Sequence, residues 1–188
     1  MSIQHDSPHC GPTTLLMEPA EPGYIYSLLP EEGTLVEWGC GGSTVFFLDN
    51  LKEGQYLVSI EHNDKWFEDM SEKIKDHPNI DRHVFLYIPP EGINNPYYAR
   101  PEEEMPCGLG EYMSFDLDTI RNADVFLIDG IARSPTAAFL ATQVKETAHV
   151  LIHDAVGRED WYHWASNCYK HWKYPEGTLL LHMSNTEI

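Results

Sequence analysis

The chain has 188 residues, of which 42% are hydrophobic and 12% aromatic. That is enough for one domain with a sizeable core, and too apolar for a disordered chain. Twelve Lys and Arg stand against 30 Asp and Glu, a net charge of −18; such a surface repels phosphate backbones and argues against nucleic acid as a partner. No apolar run approaches the ~18 residues of a membrane span. The polar opening MSIQHDSPHCGP lacks the basic start and apolar centre of a secretory signal, so no membrane partner and a cytoplasmic location are expected. Cys10, Cys40, Cys107 and Cys168 form no CxxC pair, which is neither a disulfide framework nor a zinc-finger spacing.

Taken in chain order, residues 1–30 are broken by Pro8, Pro12, Pro19, Pro22 and Pro30 and read as irregular, with one short helix over Tyr24–Leu29. A regular alternation follows. Thr34–Trp38 reads as a buried strand and Ser43–Leu51 as a helix opened by capping hydroxyls. Tyr56–Glu61 is a second strand. Asn63 or Asp64 caps the next helix, whose Trp66, Phe67, Met70 and Ile74 recur at helical spacing, and which stops before Pro78. His83–Ile88 is a third strand. Residues 89–115 hold five prolines and exceed an ordinary connection, so a functional loop or lid is expected there. Asp124–Gly130 and His149–Asp154 are further strands, separated by a helix with Pro135 in its first turn. Residues 158–172 read as a helix, and Thr178–Ser184 as a last strand.

Strands that are apolar almost throughout, alternating with helices, predict a single α/β domain over residues 1–188. Its three layers are a mostly parallel sheet with helices on both faces. Right-handed crossovers then gather every parallel strand's C-terminal end on one edge, where ligands of such folds bind.

On that edge the stretch VEWGCGGST, Val36–Thr44, packs Gly39, Gly41 and Gly42 between a strand and a helix. Glycines there let a ligand approach the backbone, and the helix start offers free N–H groups. Glu61, 24 positions after Glu37, ends the next strand where a carboxylate can take both hydroxyls of a ribose. The third glycine of a dinucleotide fingerprint is missing, and Glu37 just before the turn would repel a pyrophosphate. A cofactor carrying an ammonium and a sulfonium is favoured instead, which is S-adenosylmethionine.

Val36–Phe47, Ser59–Met70, Asp124–Gly130 and Val150–Glu159 resemble the successive signature segments of class I S-adenosylmethionine-dependent methyltransferases. More narrowly, they are similar to a small branch that includes sugar and polysaccharide O-methyltransferases. The resemblance covers about Thr34–Trp172. It implies a Rossmann-like methyltransferase fold, with Glu37, Gly39, Gly41 and Gly42 around the methionine part of the cofactor. It further implies Ser43 and Thr44 at the carboxylate, Glu61 on the ribose, His62 beside the adenine and Asp129 at the sulfonium end. Such a sheet closes with a reversed strand pair, for which this chain offers one clear strand. The pair is expected to be shortened, or completed by a partner subunit in a homodimer.

Methyl transfer is an in-line displacement, so the protein positions an acceptor and takes its proton. Asp129, His153 and Asp154 end neighbouring strands and are the candidate catalytic groups. In the resemblance the same three are also candidate ligands for a divalent metal, although metal-dependent relatives carry Asp-Asn where this chain has Asp154-Ala155. Arg133 and Arg158 are candidate clamps for an anionic acceptor, and Tyr97, Tyr98 and Tyr112 candidate acceptor walls. The expected function is O-methylation of a small or sugar-like acceptor. Two alternatives stay open: another adenosine-cofactor reaction (aminopropyl transfer or reduction), and a non-catalytic cofactor-binding scaffold.

Overall fold

The structure is a computed structural model and describes residues 13–89 and 110–188. Tyr97, Tyr98 and most of the expected lid lie outside those residues. The described chain runs α1 (Glu21–Ser27), β1 (Gly33–Trp38), α2 (Gly42–Asn50), β2 (Gln55–Glu61), α3 (Asp64–Ile74), β3 (His83–Tyr87), α4 (Gly110–Ser114) and α5 (Leu117–Asn122). It continues through β4 (Val125–Ile128), α6 (Arg133–Leu140), β5 (His149–Ile152), α7 (Glu159–Ser166), β6 (His171–Lys173) and β7 (Leu181–Ser184).

The seven strands form one sheet in the order β3-β2-β1-β4-β5-β7-β6. Pairings from β3 through β5 are parallel, while β7 runs antiparallel to both β5 and β6. Strand residues alternate between two apolar layers, as a pleat requires. Val36, Trp38, Ile60, Phe126, Ile128 and Ile152 pack with residues of α4 to α7 on one face. Leu35, Leu57, Val125, Leu127 and Leu151 pack with α1, α2 and α3 on the other.

The reversed strand pair is complete within one chain, so no partner strand is needed to close the sheet. Its strands are short, and one was hidden by the expected helix over 158–172. That helix ends at Ser166, and His171–Lys173 turns into β6, whose three residues are all exposed. With no buried side, β6 carries no alternation to read. The aromatic face expected on that helix is divided: Tyr162 and Tyr169 are buried, while Trp161, Trp164 and Trp172 each keep nearly half their surface in solvent. Tyr112 is no acceptor wall, being wholly buried in the core.

Candidate active site

Strand order reverses between β1 and β4, and the turns that leave these two strands meet there. Gly39 adopts φ +86°, and a Cβ on it would fall 2.6 Å from the Gly130 nitrogen. Only glycine combines that left-handed backbone with so close an approach. Trp66, on α3, donates its indole N–H to the Cys40 carbonyl at 2.6 Å and so pins the turn from the far side. Asn63 caps α3 by accepting from the Trp66 N–H at 2.8 Å, which fixes where that indole stands.

A cavity of about 370 Å³ opens over this crossing, within the ~300–1,000 Å³ typical of small-molecule sites. Gly39, Gly41, Gly42, Ser43, Glu61, His62 and Asp129, all expected at the cofactor, line it together. Sequence reasoning missed the rest of the wall: Cys40 in the glycine turn, Asn63 at the cap of α3 and Trp66 within it, Gly130 and Ile131 after β4, and the segment Thr14–Met17. That segment crosses the start of α2 so closely that a Cβ on Gly42 would lie 2.3 Å from the Leu15 nitrogen. Period-2 and helical spacing carry no trace of such a crossing. Trp66 was legible only as a core residue of its helix.

Glu61 is nearly buried, and its carboxylate accepts backbone N–H groups from Cys40 (3.1 Å), His62 (2.8 Å) and Asn63 (2.8 Å). Burial pushes its acidity down, but the His62 ring and these N–H donors outweigh it and hold the carboxyl below its usual range. The Cys40 thiol donates to the same carboxylate at 3.3 Å. Burial and the Glu61 and Glu37 charges keep that thiol far above its ordinary value, so it is no nucleophile.

Glu37 and Thr44 do not line the cavity. Glu37 shares the α2-facing side of the sheet with Leu35 and is fully buried. It accepts hydroxyls from Ser43 (3.0 Å), Ser59 (2.7 Å) and Thr44. Thr44 in turn accepts from the Gly41 N–H at 3.0 Å. The contact expected between Glu37 and a bound ligand is therefore corrected: the carboxyl props up the glycine turn from below. Burial lifts it to about 7 against the pull of the three hydroxyls.

The β4 and β5 ends also differ from expectation. His153 is buried between two carboxylates, Nδ1 at 2.9 Å from Asp129 Oδ1 and Nε2 at 3.1 Å from Glu21 Oε2. Burial lowers its basicity, but Asp129, Asp154 and Glu21 override this and raise it to about 9. Both ring nitrogens face carboxylates and the ring is not part of the cavity wall, so the general-base role expected of His153 has no nitrogen at the cavity. Asp129 stays ionised: burial works against the charge, and Arg133, His153 and Arg158 more than restore it. Asp154, in a left-handed turn at φ 54°, comes within 3.9 Å of the His153 ring and does not line the cavity.

Arg133 is spent on the fold. Its guanidinium donates to the carbonyls of Gly130 (3.0 Å), Asp129 (2.9 Å) and His153, and pairs with Asp129 Oδ1 at 3.0 Å. An acceptor clamp needs free donors, so that role is corrected. Arg158 lies over the Trp161 ring at 5.6 Å and 3.8 Å from Asp154, outside the cavity wall. Ligand atoms of Asp129, His153 and Asp154 do fall within 4.8 Å of one another. That group already pairs with Arg133 and holds the His153 ring between Asp129 and Glu21, so a metal there would have to displace these contacts.

No family model matches the sequence, and no curated protein matches it. Solved structures do. A methyltransferase-like protein from Silicibacter pomeroyi is 20% identical with a TM-score of 0.68, over 94% of this chain and 91% of that one. An RNA methyltransferase from Salinibacter ruber, crystallised with S-adenosyl-L-homocysteine, is 16% identical with a TM-score of 0.54, over 90% and 93%. A putative O-methyltransferase from Klebsiella pneumoniae is 10% identical with a TM-score of 0.57, over 94% and 84%. With its strand order and its glycine crossing, the chain has the class I, Rossmann-like fold of S-adenosylmethionine-dependent methyltransferases.

Proposed function

We propose that the protein is an S-adenosylmethionine-dependent methyltransferase acting on a hydroxyl of a small or sugar-like acceptor. One observation carries the reading: the glycine crossing, the Glu61 carboxylate and the Asp129 carboxylate surround a single cavity. The donor set fits the cofactor. Glu61, held ionised by backbone N–H groups, suits two ribose hydroxyls, the weak Cys40 thiol contact being the one to yield. Asn63, His62 and Trp66 supply a flat, half-polar wall for a base. Gly41, Gly42 and Ser43 bring the start of α2, with its N–H groups, to the amino-acid end. When bound, the cofactor supplies an electrophilic methyl group on a positively charged sulfur.

Asp129 then has two tasks. Its charge favours a cation at that end of the cavity. It also stands where the acceptor's proton is released. A carboxylate of low pKa serves for this because an attacking hydroxyl becomes strongly acidic as its oxygen gains the methyl group. His153 does not take the proton, and the reading calls for no metal. With Arg133 engaged and the net charge at −18, a neutral acceptor fits better than an anionic one or a nucleic acid.

Incubation with methyl-labelled S-adenosylmethionine and a panel of sugars and polyols tests this, with and without chelator. Label should pass to a hydroxylated acceptor despite the chelator, and Asp129→Ala should slow transfer by about a hundredfold or more. Full activity in that variant, or loss of activity on chelation, contradicts the assignment.

A further inference from the structure

We propose that Glu21 is a positioning residue that acts through His153 to fix the Asp129 carboxylate at the cavity wall. What Asp129 faces rests on the methyltransferase reading above; the chain of contacts does not.

Glu21 opens α1 and would ordinarily be a solvated first-turn acid, yet it has no exposed surface. An ionised carboxylate so placed is strongly destabilising unless it is paired. Its partners come from three places. Oε2 accepts the Glu18 N–H at 2.8 Å and faces His153 Nε2 at 3.1 Å, across 132 positions of sequence. Oε1 accepts the Leu179 N–H at 2.6 Å. The Leu179 carbonyl in turn accepts from Ala155 at 2.7 Å, so one side chain ties α1 to the segments after β5 and before β7.

With Glu21 and Asp129 both ionised, the imidazole between them has a defined state. A neutral ring carries one N–H and one lone pair, so one nitrogen would present a lone pair to a carboxylate oxygen. Only the doubly protonated ring donates to both. His153 therefore bridges two acids as a cation and meets Asp129 at Oδ1, where Arg133 also pairs. Asp154 Oδ1 lies 3.9 Å from the same ring nitrogen. Four residues before Glu21 the chain becomes the cavity wall at Thr14–Met17. Glu21 thus anchors that wall and Asp129 through one buried contact set.

Glu21→Gln separates position from charge. Its carbonyl can keep the Leu179 contact, while its amide donates to His153 Nε2, leaves the ring neutral and gives up the Glu18 N–H. One negative and one positive charge vanish together, so the cluster's net charge is unchanged. Asp129 then keeps a neutral Nδ1–H donor in place of a charged one, is held less tightly on that side and is drawn more toward Arg133. The first measurement is the ¹⁵N shifts of the His153 ring at pH 7.5, without cofactor. Both nitrogens should be protonated in the wild type, and one should carry a free lone pair in Glu21→Gln. The second is calorimetric binding of S-adenosylmethionine and S-adenosylhomocysteine to both proteins. The variant should lose about tenfold in affinity for the charged cofactor and less than about threefold for its neutral product.

A neutral ring in the wild type overturns the proposal, and does so even if the variant does not fold. A doubly protonated ring in the folded variant, or equal weakening of both ligands, overturns it too. A wild type that binds neither ligand sinks the methyltransferase reading instead, and the ring measurement still judges the Glu21 contact.

Discussion

Glu37 and Glu61 end neighbouring strands, both lie out of solvent, and the fold treats them in opposite ways. Glu61 meets the His62 ring at 3.0 Å and three backbone N–H groups, whose dipoles are fixed by the chain, and remains ionised at the cavity. Glu37 meets three hydroxyls, which rotate and can as readily accept as donate, and burial lifts it to about 7. An adjacent imidazole together with oriented backbone donors can hold a buried charge; hydroxyls alone do not outweigh desolvation. Glu61 faces the cavity, and Glu37 braces the turn that lines it.

The largest effect that sharpens this contrast is Glu61→Gln. The amide cannot accept from all of the converging N–H groups, so the variant should be less stable by about 2–3 kcal/mol at pH 8, read from urea unfolding. Glu37→Gln should go the other way at that pH. Because the folded pKa of Glu37 lies above its unfolded value, its favourable contribution is complete below about 4.5 and is lost as pH rises through about 7. The wild type should therefore weaken across that window by on the order of 3 kcal/mol relative to Glu37→Gln. Equal and pH-independent losses in the two variants would erase the distinction.

An effect of the same size concerns His153. Its folded pKa is also raised, so its contribution is intact below about 6.5 and fades as pH rises through about 9. The stability gap between wild type and His153→Gln should shrink by on the order of 3 kcal/mol over that range. A gap that grows with pH would mean the ring is neutral. The smallest effect falls on the Thr14–Met17 wall. Gly42→Ala places a methyl against the Leu15 backbone and should displace that segment. Cofactor affinity should drop about fivefold, with under about 1 kcal/mol of lost stability; unaltered affinity would remove the segment from the site.

The glycine and Glu61 side of the cavity was largely legible because its signals are local. Glycines at a strand-to-helix turn and an acid at the next strand end each announce themselves within a few residues. The direction of Glu37 was legible too, in hindsight. It alternates in step with Leu35, and so points into the α2 layer, toward the hydroxyls of Ser43, Thr44 and Ser59. The other half resisted for a different reason. Glu21 and His153 are distant in sequence, and α1 offers no spacing that ties one to the other. Arg133 looked free because its partners are backbone carbonyls, which no side-chain pattern records. β6, exposed along its length, had no apolar rhythm to separate it from the helix before it.

The central claim is that the cavity over the Gly39 crossing binds S-adenosylmethionine through Glu61. Its most direct test is isothermal titration of the wild type and Glu61→Ala with S-adenosylmethionine, S-adenosylhomocysteine and NAD. The account predicts micromolar binding of the first two by the wild type, none of NAD, and loss of about a hundredfold or more in a variant that still melts cooperatively. A folded wild type that binds neither adenosyl compound, or a variant that binds them as well, would contradict it.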